Sequence, residues 1–153
     1  MVAELPSFTV VTREVPVSVN KLYSGKSHRF LSPEGKKFKD TVAELVAYEI
    51  IILHGGSIDH HVYMAGRSYH LELDLYLRQV KNPAWAPGEK TRSGKPSSPY
   101  KQVDTSNYVK IIEDAVATGT GIDDSACSRL VVNRHEDPLD PRIIIKYTIA
   151  PRE

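Results

Sequence analysis

Apolar and polar side chains alternate most cleanly over 71–77, where Leu71, Leu73, Leu75 and Leu77 are separated by Glu72, Asp74 and Tyr76. A period of two predicts a half-buried strand. A helical period governs the stretch after 104: Tyr108, Ile111, Ile112 and Ala115 recur at i, i+3, i+4 and i+7, so a helix starting near Thr105 turns one apolar side to a core. On its other side Asn107, Lys110 and Asp114 fall within about 60° of one another, a single hydrophilic stripe, and Gly119 to Gly121 are expected to end the helix. A second helix is announced by Ser32 as N-cap and Pro33 as first helical residue, continues through Phe38, Val42, Leu45 and Val46, and should stop at Gly55 and Gly56. The β-branched run 7–15, closed by Pro16, reads as a first strand. Residues 129–134 and 142–149 read as two more, joined by the turn-rich EDPLDP and able to pair as a hairpin. The order strand, helix, strand, helix, strand, strand predicts an α+β domain, one mixed sheet covered by two helices.

Length and composition sharpen this in a few places. With 153 residues, 41% of them apolar, the chain is expected to be one domain (1–153) with a core of its own. Twenty basic and nineteen acidic side chains leave a net charge of +1, so no bulk field argues for nucleic acid, and the distribution matters more. Between 17 and 39 lie Lys21, Lys26, Arg29, Lys36, Lys37, Lys39 and His28 against Glu34 alone, a pattern that a solvated helix face and loop would also give. The stretch 79–103 has four prolines and no periodicity, which predicts a long basic loop. It carries Lys81, Lys90, Arg92, Lys95 and Lys101 against Glu89, with Trp85 and Tyr100 interleaved: cations for phosphates beside aromatics for bases, or else a mobile solvated loop. Gly94 and Lys95 do not form a phosphate loop, because Pro96 stands where Ser or Thr is needed and no helix follows. His60 and His61, taken with His70, His135 or Cys127, match no zinc spacing. The lone cysteine, the absence of a leader pattern at the N-terminus and the lack of any apolar run near ~18 residues point to a cytoplasmic protein outside the membrane.

The chemistry concentrates around the helix that starts near Thr105. Asp104 precedes it, and Asp123 and Asp124 follow it at the mouth of an apolar run, so a fold that brings these together would gather carboxylates as a magnesium site requires. A phosphodiester is already anionic. Its hydrolysis calls for a divalent ion to activate water and to stabilise charge at the pentacovalent state, with a cation such as Lys110 on a phosphate oxygen. The plainer reading makes Asp104 an N-cap, Lys110 and Asp114 an i, i+4 pair, and Asp123 with Asp124 a turn.

Taken in order, these residues resemble the RusA family of Holliday junction resolvases, small endonucleases found largely in phages and prophages. The resemblance runs the length of the chain: Pro16, Ser18, Asn20 and Tyr23, then Ser32, Glu34 and Gly35, then Phe38, Lys39 and Asp40. The core motif Asp-x-Asp-Asn-x-x-Lys-x-x-x-Asp, followed by Asp-Asp, appears as Asp104, Ser106, Asn107, Lys110, Asp114 and Asp123 with Asp124. What the resemblance implies is a homodimer that cuts four-way DNA junctions symmetrically, using Mg²⁺ (Mn²⁺ as a substitute) held by Asp104 and Asp124. Lys110 would face the phosphate, and Asn107 and Asp114 would support the site. Ser106 stands where a second aspartate is expected. Its hydroxyl offers a metal-bound water a partner but no charge, so either Asp123 or Asp114 compensates or the protein binds junctions without cutting them. The loop 79–103 is also longer than the family's. Asn20, Lys21, Lys26, Arg29, Lys90, Arg92, Lys95 and Lys101 are the candidate DNA contacts. A reading from another class makes the chain a protein-interaction module, with Trp85 and Tyr100 as interface anchors.

Overall fold

The computed structural model describes residues 7–15, 23–24, 30–54, 67–100 and 105–150, with the backbone alone at 23–24, 53–54 and 105–107. Strand β1 (Ser7–Thr12) turns Phe8, Val10 and Thr12 inward and stops short of the expected 15. Two short strands, β2 (Tyr23–Ser24) and β3 (Phe30–Leu31), pair antiparallel where the sequence promised only a basic segment. Helix α1 (Pro33–His54) begins as expected: the Ser32 hydroxyl accepts the Gly35 N–H at 3.1 Å, and the Ser32 carbonyl takes the Lys36 N–H at 2.8 Å. The glycines expected to stop α1 lie outside the described residues.

Strand β4 (Tyr69–Leu77), helix α2 (Thr105–Thr120), a 3₁₀ turn (Asp124–Ala126) and strand β5 (Cys127–Glu136) follow, and β6 (Arg142–Ile149) closes the described chain. The main sheet has the order β1-β6-β4-β5, with β4 and β5 parallel and the other pairs antiparallel. The α+β class with one mixed sheet and two helices therefore holds. The hairpin expected from the last two strands does not form, because β6 inserts between β1 and β4. Composition explains the exchange. Ile143, Ile145, Tyr147 and Ile149 are buried and suit an interior strand, whereas β5 carries Arg129, Asn133, Arg134, His135 and Glu136 and takes the edge. The link between them is tied across the end of β4 by the Asp137 N–H, which donates to the Leu77 carbonyl at 2.8 Å.

One core joins a single face of the sheet to both helices. Leu71, Leu73 and Leu75 of β4 and Ile143 and Ile145 of β6 meet Val42 and Val46 of α1 and Ile111, Ile112 and Val116 of α2, all of them fully buried. Side chains of this kind contribute about 1.5–3 kcal/mol each. Phe8, Tyr147 and Tyr69 stack in a row, with 4.7 Å between successive ring centroids. The even-numbered residues of β4 point to the opposite face, which is polar. There the nearly buried Asp74 accepts from Asn133 at 3.0 Å and meets Lys146 at 3.4 Å and His135 at 3.5 Å. Burial alone would raise the Asp74 pKa, but these three partners hold it below the ordinary carboxylate range.

Helix α2 ends at Thr120, between the two glycines expected to stop it. Gly119 is an interior position where α2 presses on α1, and Gly121, at φ 72°, is the residue that ends the helix.

Candidate functional site

The polar side of α2 and the turn that follows it hold Glu113, Asp114, Asp123 and Asp124. Lys110 is exposed on this helix, and Glu113 and Asp114, one turn further on, are each half-buried. After Gly121 the chain dips inward at Ile122 and emerges at Asp123 and Asp124, which open the 3₁₀ turn leading into β5. Asp123 caps that turn. Its Oδ1 accepts the Ser125 N–H at 2.8 Å, and hydrogen bonding to Ser125 holds its carboxyl below the usual range.

Glu113 behaves in the opposite way. Burial first, then the neighbouring charges of Asp124 and Asp114, raise its pKa. The same electrostatic neighbourhood takes in Tyr69 and Cys127, whose pKa values burial raises and to which Glu113 and Asp124 add. Tyr69 and Cys127 are register partners at the start of the parallel pair β4 and β5, so the folded chain brings Glu113, Asp124, Tyr69 and Cys127 to one end of the sheet. Tyr69 is fully buried, and its hydroxyl has no hydrogen-bond partner among the described residues. At the other end of α2, burial pushes the Tyr108 hydroxyl up to about 12, with Glu34 adding to it, and its ring meets Phe38 edge-on at 6.5 Å. Tyr108 thereby fixes the start of α2 against α1.

The other expected site residues divide clearly. Asp104 lies outside the described residues, as do Asn20, Lys21, Lys26, Arg29 and Lys101; Ser106 and Asn107 stand in the first turn of α2, with no side-chain description. Among the described residues no three His, Cys, Asp or Glu side chains converge closely enough to hold a metal ion. Glu113 and Asp124, which the electrostatics couple, carry hard carboxylate oxygens of the kind that suits Mg²⁺ or Mn²⁺. Glu113 is the residue that sequence reasoning passed over. A signal was present, since it lies seven residues after Ser106 and three after Lys110 and so shares their helix face.

The stretch expected as an irregular loop is an ordered arm over its described part, 79–100. Bridges pair Lys81 with Tyr100 and Lys90 with Pro96, and the Asn82, Thr91 and Ser97 N–H groups donate to Pro99, Lys95 and Glu89 carbonyls at 2.8–2.9 Å. Its base is anchored by Glu136, whose Oε1 accepts from the Val80 and Lys81 N–H groups at 2.8 and 3.1 Å. The Trp85 indole donates to the Ser97 hydroxyl at 3.0 Å inside the arm, so it serves the arm's own structure, whereas Tyr100 is exposed. The arm walls an open hollow of about 810 Å³, and Lys90, Arg92 and Lys95 stand exposed along it.

No protein-family model and no curated protein matches the chain. Among solved structures it is similar to 2C-methyl-D-erythritol 2,4-cyclodiphosphate synthase from Plasmodium vivax, at 9% identity and a TM-score of 0.32, over 98% of this chain and 97% of that one. No described helix is long and apolar enough to cross a membrane.

Proposed function

We propose that this chain is a divalent-metal-dependent endonuclease that acts as a homodimer on four-way DNA junctions and cuts two strands symmetrically. The observation that carries the reading is the placement of Asp124 in the 3₁₀ turn just after α2, the helix that bears exposed Lys110 and half-buried Glu113 and follows Asp104 in the chain. Like charges crowded at a half-buried position are costly unless a cation offsets them, and they recur where ions are bound. The arm supplies the second support, a row of exposed cations beside an exposed tyrosine, which is the chemistry of a nucleic-acid contact.

In this reading Asp104 and Asp124 would hold Mg²⁺ or Mn²⁺, which would supply an activated water and offset charge on the phosphate. Lys110 places a positive charge on a phosphate oxygen. Tyr69, fully buried at the start of β4, keeps water from the protein interior at that end of the sheet. Lys90, Arg92 and Lys95 hold the sugar-phosphate backbone and, with Lys21, Lys26, Arg29 and Lys101, set the register of the substrate. The dimer follows from the task, since two symmetric cuts need two sites related by a two-fold axis. The reading that keeps binding and loses cutting has one observation in its favour, the neutral Ser106 at a ligand position.

A synthetic four-way junction separates these readings, incubated with Mg²⁺ or with chelator while the protein is sized by light scattering. Paired cuts that need Mg²⁺ and a dimeric protein are expected. Asp104→Asn and Asp124→Asn should each lower cleavage by about two or more orders of magnitude and leave binding intact or tighter. Binding without cutting would select the second reading, and a chain that ignores branched DNA would remove both. Asn caps helices and fits turns nearly as well as Asp, so variants that still cut would reduce these acids to a cap and a turn.

A further inference from the structure

We propose that the arm, residues 79–100, is a clamp for single-stranded DNA, in which Lys90, Arg92 and Lys95 hold phosphates and Tyr100 stacks on an unpaired base. The inference rests on the endonuclease reading for the kind of polymer, and it names the form of DNA that the arm takes, the unpaired strand at a branch.

The tip of the arm is a tight hairpin. Lys90 and Pro96 form an antiparallel bridge, the Thr91 N–H donates to the Lys95 carbonyl at 2.8 Å, and the Gly94 N–H donates to the Thr91 carbonyl at 2.9 Å. Gly94, at φ 81°, takes the left-handed position that closes a short hairpin loop of this kind. Lys90, Arg92 and Lys95 therefore stand on one fixed turn, and Glu89 is the only acid between 79 and 100. That surplus selects an anionic partner, and a hairpin braced before binding loses little freedom in taking it.

The aromatics decide between a duplex and a single strand. Trp85 is committed to the arm: its indole donates to the Ser97 hydroxyl at 3.0 Å, and that hydroxyl donates to the Glu89 carbonyl at 3.0 Å. Tyr100 is placed to receive a ligand. Its backbone is bridged to Lys81, its side chain is exposed, and with Lys90, Arg92 and Lys95 it lines the same open hollow of about 810 Å³. A tyrosine ring stacks on any base, but only on one that has left the duplex, where the grooves show nothing but base edges. A hollow of this size falls in the range of small-molecule sites, ~300–1,000 Å³, which suits a few linked nucleotides and excludes a double helix. Such nucleotides occur where paired arms exchange strands.

The test uses the full chain in chelator, so that metal plays no part, and reads the fluorescence of Trp85, its one tryptophan. The probes are a short oligo(dT) strand and a duplex of the same length. Oligo(dT) should bind more tightly than the duplex and shift the Trp85 emission. Tyr100→Ala and Tyr100→Leu should each weaken oligo(dT) binding by about tenfold, the loss of one stacked base, with Tyr100→Phe within about twofold of wild type and duplex binding unmoved in all three. Neutralising Lys90, Arg92 and Lys95 together should lower the salt slope for oligo(dT) by about 2.1, at about 0.7 per phosphate. A Tyr100→Ala protein that binds oligo(dT) as well as wild type does, or a wild type that prefers the duplex, would overturn the clamp. So would poly(aspartate) that displaces oligo(dT) at equal charge, which would mark the hollow as a site for any anionic chain, and oligo(U) bound more tightly than oligo(dT) would overturn the choice of DNA. Emission of the unbound variants shows whether the arm has kept its structure; if Tyr100→Ala has lost it, Tyr100→Leu against Tyr100→Phe decides. A protein that cuts four-way junctions with Mg²⁺ but ignores oligo(dT) loses the clamp and keeps the endonuclease reading, and one that binds oligo(dT) through Tyr100 but never cuts loses that reading and keeps the clamp.

Discussion

Gly119→Ala sets two effects of opposite sign against each other at the contact that seats the site helix. Alanine is the better helix former by about 1 kcal/mol, and it also narrows the unfolded ensemble. Against this, a Cβ at 119 would stand 2.7 Å from the Ala43 carbonyl oxygen, 2.8 Å from Val46 Cβ and 2.9 Å from Val46 Cγ1. All three are closer than such atoms tolerate. The Ala43 oxygen belongs to the backbone of α1, so no rotamer change relieves it, and α2 must move away instead. Overpacking of this kind costs about 1–3 kcal/mol, and with a backbone atom involved the upper part of that range applies. Subtracting the propensity gain leaves a net loss of about 1–2 kcal/mol, which for a chain of this length lowers Tm by about 2–8 °C. Calorimetric melts and urea curves with an unchanged m-value measure it directly. Gly121→Asn serves as the control. There φ is 72° with nothing within 4 Å of an added Cβ, so the cost is conformational, and Asn, which tolerates that region, should lose little. A Gly119→Ala protein that melts at or above wild type would refute the close crossing of the helices, and with it the account of how Lys110 and Glu113 are held in place.

Two more outcomes follow from described charges. Neutralising Lys90, Arg92 and Lys95 together should reduce the slope of log binding constant against log salt by up to about 2.7, and an unchanged slope would put the phosphate contacts elsewhere. Asp74 has its pKa lowered, so it stabilises the fold above the ordinary aspartate range and that stability disappears as pH falls through its folded value. Asp74→Asn should therefore be less stable than wild type near neutrality and converge with it in acid; urea melts showing a constant gap across pH would contradict this.

The parts of the fold that could be read from the chain are those where one local period decides the outcome. Leu71 to Leu77 and Tyr108 to Ala115 each commit to one face whatever surrounds them, and the Ser32 cap fixes where α1 starts. Strand order is a different kind of quantity. The hairpin expected of the last two strands was plausible from their short link, but which strand is interior depends on competition for burial. Three isoleucines and a tyrosine in β6 won that place over a β5 rich in charge. The loop 79–103 was legible as a loop, but its internal order was not, because that order comes from single bridges and side-chain hydrogen bonds, such as Trp85 to Ser97, which leave no periodic trace. Asp74 looked like any residue on a polar face, since its burial is supplied by Asn133, His135 and Lys146 from two other strands.

Glu113 was hidden for a reason that bears on the site itself. A motif read by position assigns each ligand to one slot, and by that measure Ser106 is a loss. A folded site is defined by where oxygens arrive, and a helix presents the same face again about every seven residues. Glutamate also carries one more methylene than aspartate and leans back along the helix, so a charge lost near the start of α2 can be offset from further along it. The partner that gives this meaning, Asp124, is brought in by the Gly121 turn and the 3₁₀ segment, eleven residues later, which no periodicity encodes. Burial and the charges of Asp124 and Asp114 together raise the Glu113 pKa, an environment that the helical period alone does not reveal.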